Sequence, residues 1–208
     1  MKTDISTLVM AEALHWAISY LTVRIDTMRN VIPVHAIWLA QDDPKKNTAV
    51  RLSKRGDLKL HEKFNKLPRR GIILEPLCGK VLGPEDHGLL LEQGGSLVGL
   101  DCSWAHIEDS VSQVMKKTNL QGRMLPLLLA ANPVNWGKPG KMTTAEALSA
   151  SLYLIGKEEQ ARKLLSAFRW GEQFFILNKE PLDAYSAAKS SKELVELQFE
   201  FFDIERPD

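Results

Sequence analysis

Short apolar runs alternate with longer polar connections through the first half of the chain, and the spacing then becomes helical. Val34-His35-Ala36-Ile37-Trp38-Leu39 is the first run; it ends in Gln41-Asp42-Asp43-Pro44, where the proline biases the residue before it out of helical geometry. Gly71-Ile72-Ile73-Leu74-Glu75-Pro76 is a second run, stopped by Pro76, and Ser96 to Leu100 is a third. Nearly continuous runs of this length, separated by helix-length connections, predict buried strands of a parallel sheet covered on both faces. Beyond Ser110 the pattern predicts helices over 144–154, 158–168, 180–189 and 191–202. Thr143 or Thr144 caps the first of these, with Glu146 or Ala147 in its first turn, and Gly156 and Asn178 are terminators.

The chain therefore divides into an N-terminal extension (1–29), an α/β half with a parallel sheet (30–109) and an all-helical half (110–208). No Gly/Ser linker separates the halves, which predicts packed units sharing a cleft, and ligands of open parallel sheets bind beyond the carboxyl ends of the strands. Ile5 to Val23 is the most apolar stretch, yet Glu12 and His15 interrupt it where a spanning helix would bury them in hydrocarbon, and no cleavage site follows an uninterrupted apolar core. It reads as an amphipathic helix or an adventitious extension, with Met28 as an alternative start just before the first strand.

A chain of 208 residues, 44% hydrophobic, is long enough to bury a real core. Its 27 basic and 26 acidic residues leave a formal charge of +1, so a nucleic-acid surface must be a local patch rather than a global field. That patch has a location: 45–70 holds six lysines and four arginines against Asp57 and Glu62. Cys78 and Cys102 have no C-x-x-C partner, which argues against a zinc ribbon or a disulfide framework and for a reducing, cytoplasmic setting. The five histidines include no H-E-x-x-H pair, so no metal site is expected.

The most informative residues are Asp101-Cys102-Ser103-Trp104, directly after the third strand, and the apolar run from Leu125 that ends in Asn132-Pro133. A carboxylate and an indole at the mouth of a buried strand suit a cationic small molecule, through a charge-assisted hydrogen bond and a cation–π contact. On residue type alone Asp101 is as well explained as a helix cap, Trp104 as core packing and Thr144 as an N-cap. No G-x-G-x-x-G follows the first strand, which disfavours a Rossmann nucleotide site.

With Asp42-Asp43-Pro44-Lys45-Lys46-Asn47-Thr48, Lys141-Met142-Thr143-Thr144-Ala145-Glu146-Ala147-Leu148 and Phe168-Arg169-Trp170-Gly171, these motifs resemble, in the same order, the small-subunit rRNA aminocarboxypropyltransferase family, over about Val34 to Glu196. The resemblance implies a SPOUT-like fold with a deep trefoil knot, although connectivity rules alone would argue against a knot. It implies S-adenosylmethionine as group donor, transfer of its 3-amino-3-carboxypropyl group to a (methyl)pseudouridine in small-subunit rRNA, and release of methylthioadenosine. By the same resemblance, Asp101 and Trp104 are the catalytic pair, and Thr48, Leu100, Leu125, Gly140 and Thr144 join them in holding the donor. Relatives usually carry an aromatic at the position of Gly140, so either Trp136 fills that space or the purine pocket is looser. Lys45, Lys46, Arg51, Lys54, Arg55, Arg69 and Arg70, with Arg123 and Lys141 beside the cleft, form the expected RNA surface. The implied partner is small-subunit rRNA or a pre-ribosomal particle, bound by a monomer with no membrane contact. Two rival readings are a SPOUT-type RNA methyltransferase and a non-catalytic rRNA-binding assembly factor; the latter has no use for the Asp101–Trp104 pair.

Overall fold

The structure, a computed structural model, describes residues 31–39, 47–101, 111 and 116–206. The extension 1–29, with its Ile5–Val23 segment and Met28, lies outside the described residues. Five strands, β1 (Val34–Trp38), β2 (Lys59–His61), β3 (Gly71–Leu74), β4 (Ser96–Asp101) and β5 (Gln121–Arg123), form one sheet in the order β2-β1-β4-β3-β5. Every pair in it is parallel. The three apolar runs are the three inner strands. The edge strands β2 and β5 have three residues each, too few for a period-two pattern to stand out. Because β5 comes from the second half of the chain, that half is not all-helical as expected: it completes the sheet.

Among the described residues the α-helices are α1 (Thr48–Arg55), α2 (Thr144–Leu154), α3 (Glu158–Leu165), α4 (Gly171–Leu177), α5 (Lys179–Ala187) and α6 (Ser191–Phe201). Local capping sets several of their ends. Asn47 accepts from the Val50 amide to start α1, and Thr143 and Glu146 form a reciprocal capping box on α2. The expected helix over 158–168 stops at Leu165, and α4 follows, a short helix that the sequence pattern did not show. A Cβ at Gly171 would lie 2.0 Å from the Leu165 carbonyl oxygen, so only glycine fits this tight junction.

One face of the sheet, with Val34, Ala36, Ile72, Leu74 and Leu97, packs with Ala49 and Leu52 of α1 and Leu148 and Leu152 of α2 into the larger core. The other face buries Ile37, Ile73 and Val98 with Leu67 and Leu120. Each buried valine, leucine or isoleucine among them contributes about 1.5–3 kcal/mol by leaving water. Polar ties join the sheet to the helices. Gln160 of α3 accepts from the Ile32 amide at 3.0 Å and donates to the Ile32 carbonyl at 2.7 Å, just before β1.

At the β2 edge, His35 Nδ1 and His61 Nε2 are 2.9 Å apart with their rings stacked. A hydrogen bond between two ring nitrogens needs one donor and one acceptor, so at least one ring is neutral. Burial, then the neighbouring His61 and Lys59, push His35 down from 6.5 to about 4, and burial and Lys59 also lower His61. The unfolded chain therefore binds protons that the folded chain refuses, and stability should fall as pH drops from about 6.5 to about 4. Urea unfolding midpoints across that window check this: His35→Gln should lose less stability on acidification than the wild type. Parallel losses would show that the pair does not govern the acid response.

Candidate functional site at the carboxyl ends of the strands

A cavity of about 260 Å³ opens where β3, β4 and β5 end. Leu74 and Glu75 form one side, Gly99 and Leu100 the floor, and Met124 to Leu127 with Gly140 and Met142 the opposite wall. Thr144, at the start of α2, closes one end. The lining is mostly apolar with a few convergent polar groups, the usual make-up of a small-molecule site.

Asp101, the last residue of β4, is buried, and two helix starts converge on its carboxylate. Thr144 Oγ1 donates to Oδ1 and Asn47 Nδ2 donates to Oδ2, both in short hydrogen bonds. Thr48 Oγ1 in turn accepts from the Ala145 amide at 3.3 Å, joining the first residue of α1 to the first turn of α2. This close approach needs Gly99, since a Cβ there would stand 2.8 Å from Thr144 Cγ2 and 3.3 Å from Leu148 Cδ1.

The wall opposite the sheet is a segment without regular structure, from Met124 to Thr143, and side chains of the helices satisfy its amides. Glu146, fully buried in α2, accepts from the amides of Ala131, Asn132 and Thr143 at 2.7–3.0 Å and from Asn132 Nδ2 at 2.8 Å. Thr143 Oγ1 donates to the same carboxylate at 2.8 Å. Asn178 exchanges hydrogen bonds with the Leu129 amide and carbonyl, and Gln198 Oε1 accepts from Leu127 at 2.7 Å.

Of the donor-holding residues expected from sequence, Leu100, Leu125, Gly140 and Thr144 line this one cavity, and Asp101 and Thr48 sit in the hydrogen-bonded junction beside it. Trp104, Lys45 and Lys46 lie outside the described residues. Gly140 has φ +70°, and a Cβ there would meet only Leu127 Cδ1, at 3.8 Å, so this corner is open. Trp136 does not line the cavity; it is 53% exposed.

The basic residues separate. Arg51 and Lys54 are exposed on α1, with the Arg51 guanidinium 5.0 Å over the Phe168 ring. Arg55 is tied to Asp57, the Lys163 carbonyl and Ser166. Arg69 and Arg70 precede β3, at the amino edge of the sheet, on the order of 13 Å along the strand from the cavity. Lys141 is exposed beside the cavity wall. Arg123 differs from its expected RNA role: it is buried, bidentate to Asp86 at 2.7–3.0 Å, and donates also to Gln121 and to the Gly122 carbonyl. Most of its donors are taken up inside the protein, where they fix β5 against the 84–86 turn, although the residue also lines the cavity.

Sequence reasoning missed Asn47, Gly99, Glu75 and the weight of Glu146. Asn47 had a legible signal, an Asn directly before a Thr-led helix. Glu75 is a buried carboxylate on the cavity that accepts from the Leu77 amide at 2.9 Å, and only its place before Pro76 marked it. Among the described residues no group of three His, Cys, Asp or Glu could hold a metal ion, and no helix is long and apolar enough to cross a membrane.

Comparison with known proteins decides the family. A family model described as "Ribosome biogenesis protein, C-terminal" matches residues 72–202. A 16S rRNA aminocarboxypropyltransferase of Methanosarcina acetivorans is 42% identical over 167 residues, 80% of this chain and 92% of that protein. The chain belongs to the 16S rRNA aminocarboxypropyltransferase family. A second relative of the same name, from Vulcanisaeta distributa, is 39% identical over 155 residues, 74% of this chain and 82% of its own. The solved structure described as the SAM-dependent rRNA:acp-transferase Tsr3 from Vulcanisaeta distributa superposes with a TM-score of 0.69 at 34% identity, covering 81% of this chain and 97% of that one.

In this member of the aminocarboxypropyltransferase family, Glu146→Gln should test the cavity wall. The amide presents NH2 where amide donors now point, so stability should fall by about 1–3 kcal/mol. Hydrogen exchange should quicken at Ala131, Asn132 and Thr143 more than in the sheet. Uniform protection changes would mean that the carboxylate does not hold the wall locally.

Proposed function

We propose that this protein transfers the 3-amino-3-carboxypropyl group of S-adenosylmethionine to a pseudouridine-type base of small-subunit rRNA, releasing methylthioadenosine. The observation that carries the reading is the cavity itself: Leu100, Leu125, Gly140 and Thr144, drawn from three separate stretches of sequence, line one space that the Asp101 junction adjoins.

The residues present fit the donor molecule. Leu74, Leu100, Leu125 and Met142 supply apolar walls for the adenosine, and Glu75 supplies a carboxylate for ribose hydroxyls. Asp101 supplies the anion that attracts the α-ammonium, with Thr144 and Thr48 beside it for the polar tail. Trp104 follows Asp101 by three positions in sequence, and in this reading its indole face attracts the sulfonium and walls off the methyl group.

The reaction is an in-line displacement. The ring nitrogen forms its bond to the γ-carbon as the carbon–sulfur bond breaks, the sulfur keeps the electron pair as a neutral thioether, and the nitrogen loses its proton. Since a sulfonium is already a good leaving group, positioning supplies most of the acceleration, an effect worth up to about 7–11 kcal/mol in well-oriented systems. Choice of the γ-carbon over the methyl is then a matter of how the donor is held.

The reading extends to the fold, as a SPOUT-like arrangement with a deep trefoil knot. It is supported by the strand order, in which the chain leaves β4 near the middle of the sheet, forms β5 at the far edge and returns to lay α2 against β4. It further takes the protein to act as a monomer in the cytoplasm, in keeping with two cysteines that form no framework.

Donor labelled separately in its methyl and carboxypropyl groups, incubated with the protein and small-subunit rRNA, distinguishes the readings. The carboxypropyl label alone should become RNA-bound. Transfer of methyl label would identify a methyltransferase, and binding without transfer an assembly factor.

A further inference from the structure

Beside the cavity stands a tryptophan that the site does not use. Residues 130–138 form a tight hairpin on the segment walling the cavity. Gly137 N donates to the Ala130 carbonyl at 2.7 Å, Ala130 N to the Lys138 carbonyl at 3.1 Å, and Gly140 N to the Leu128 carbonyl at 2.9 Å. Asn132 fixes the tip by accepting from the Asn135 amide at 3.0 Å, while its own side-chain amide donates to the buried Glu146. Gly137, at φ +71°, makes the turn directly after Trp136. The hairpin is thus an ordered structure, yet it holds out Trp136 at 53% exposure and Val134 at 83%. The pinned loop thus leaves more than half of the indole in water, outside the core.

Three observations define its partner. Trp136 lies four residues from Gly140, which lines the cavity, so the two are within about 14 Å of each other. The segment 125–142 contains Lys138 and Lys141 and no acidic residue, which gives the surface a positive charge. Aromatic faces beside lysines are how proteins hold single-stranded nucleic acid: bases stack on the ring and phosphates pair with the cations. We infer that Trp136 is a stacking platform for a base of the RNA substrate, close to the target nucleotide, with Lys138 contacting the adjoining backbone. The inference rests on the rRNA reading above. It makes Trp136 a positioning residue for the acceptor and gives it no part in holding the donor.

The test measures binding of an rRNA fragment containing the acceptor, and separately binding of S-adenosylmethionine, to Trp136→Ala, Trp136→Phe and Lys138→Ala. Stacking of one base on an aromatic ring corresponds to a loss of roughly five- to 150-fold in RNA affinity for Trp136→Ala, with the log–log salt dependence unchanged. Trp136→Phe should retain most of the affinity. Lys138→Ala should make the salt dependence shallower by about 0.7–0.9. Donor affinity should be the same in all three variants. Equal RNA affinity of Trp136→Ala and wild type would overturn the platform; transfer of the carboxypropyl label by the same preparation would show that the activity reading survives. A wild type that neither binds nor modifies rRNA would remove both.

Discussion

The site depends on one junction, the Asp101 carboxylate at the end of β4. Thr144 at the start of α2 and Asn47 before α1 both donate to it, so a single anion sets the distance between the strand end and two helix starts. Helix N-termini carry unpaired amides and partial positive charge, and an acid near them is favoured on both counts. The same arrangement concentrates negative charge and hydroxyls at one end of an otherwise apolar cavity. What stabilises the fold locally is therefore also what would recognise a ligand with a cationic head and a flat apolar body.

The second constraint is the wall. A segment of twenty residues, Met124 to Thr143, crosses the sheet end with only the short hairpin pairing about Leu129 and Pro139 as a ladder of its own, and buried backbone without partners would cost several kcal/mol. Glu146 of α2, Asn178 at the junction of α4 and α5, and Gln198 of α6 supply those partners. α2, the α4–α5 junction and α6 are thus the scaffold of the wall as well as part of the core. It also accounts for the hairpin at 130–138, which is held firmly enough to present an exposed indole.

Much of this was legible in the sequence, for physical reasons that differ from element to element. The three inner strands are buried on both faces and so read as continuous apolar runs. β2 and β5 lie at the edges, and their residues carry no such signal; β5 hides the fact that the second half of the chain completes the sheet. The helix over Thr144–Leu154 declared itself through its capping box, whereas α4 is too short to show a period. That Leu100, Leu125 and Gly140 would line one cavity was legible only through resemblance, because they are ordinary residues until the chain brings them together. Arg123 was misread because charge alone does not reveal a partner thirty-seven residues away: Asp86 takes up its guanidinium in the interior. Phe168-Arg169-Trp170-Gly171, a motif of the resemblance, turns out to be packing, with Phe168 stacked on Trp170 at 4.8 Å and Arg51 over Phe168.

The central claim is that the Asp101 junction anchors the methionine end of the donor. Titration of Asp101→Asn with S-adenosylmethionine, alongside its melting temperature and its rate at saturating donor, tests this most directly. Its dissociation constant should rise roughly tenfold or more, as for loss of a hydrogen bond to a charged group, with most of the rate restored at saturation. A folded variant that binds the donor normally yet stays nearly inactive, and gains activity as pH rises, would contradict it and make Asp101 the base that takes the acceptor's proton.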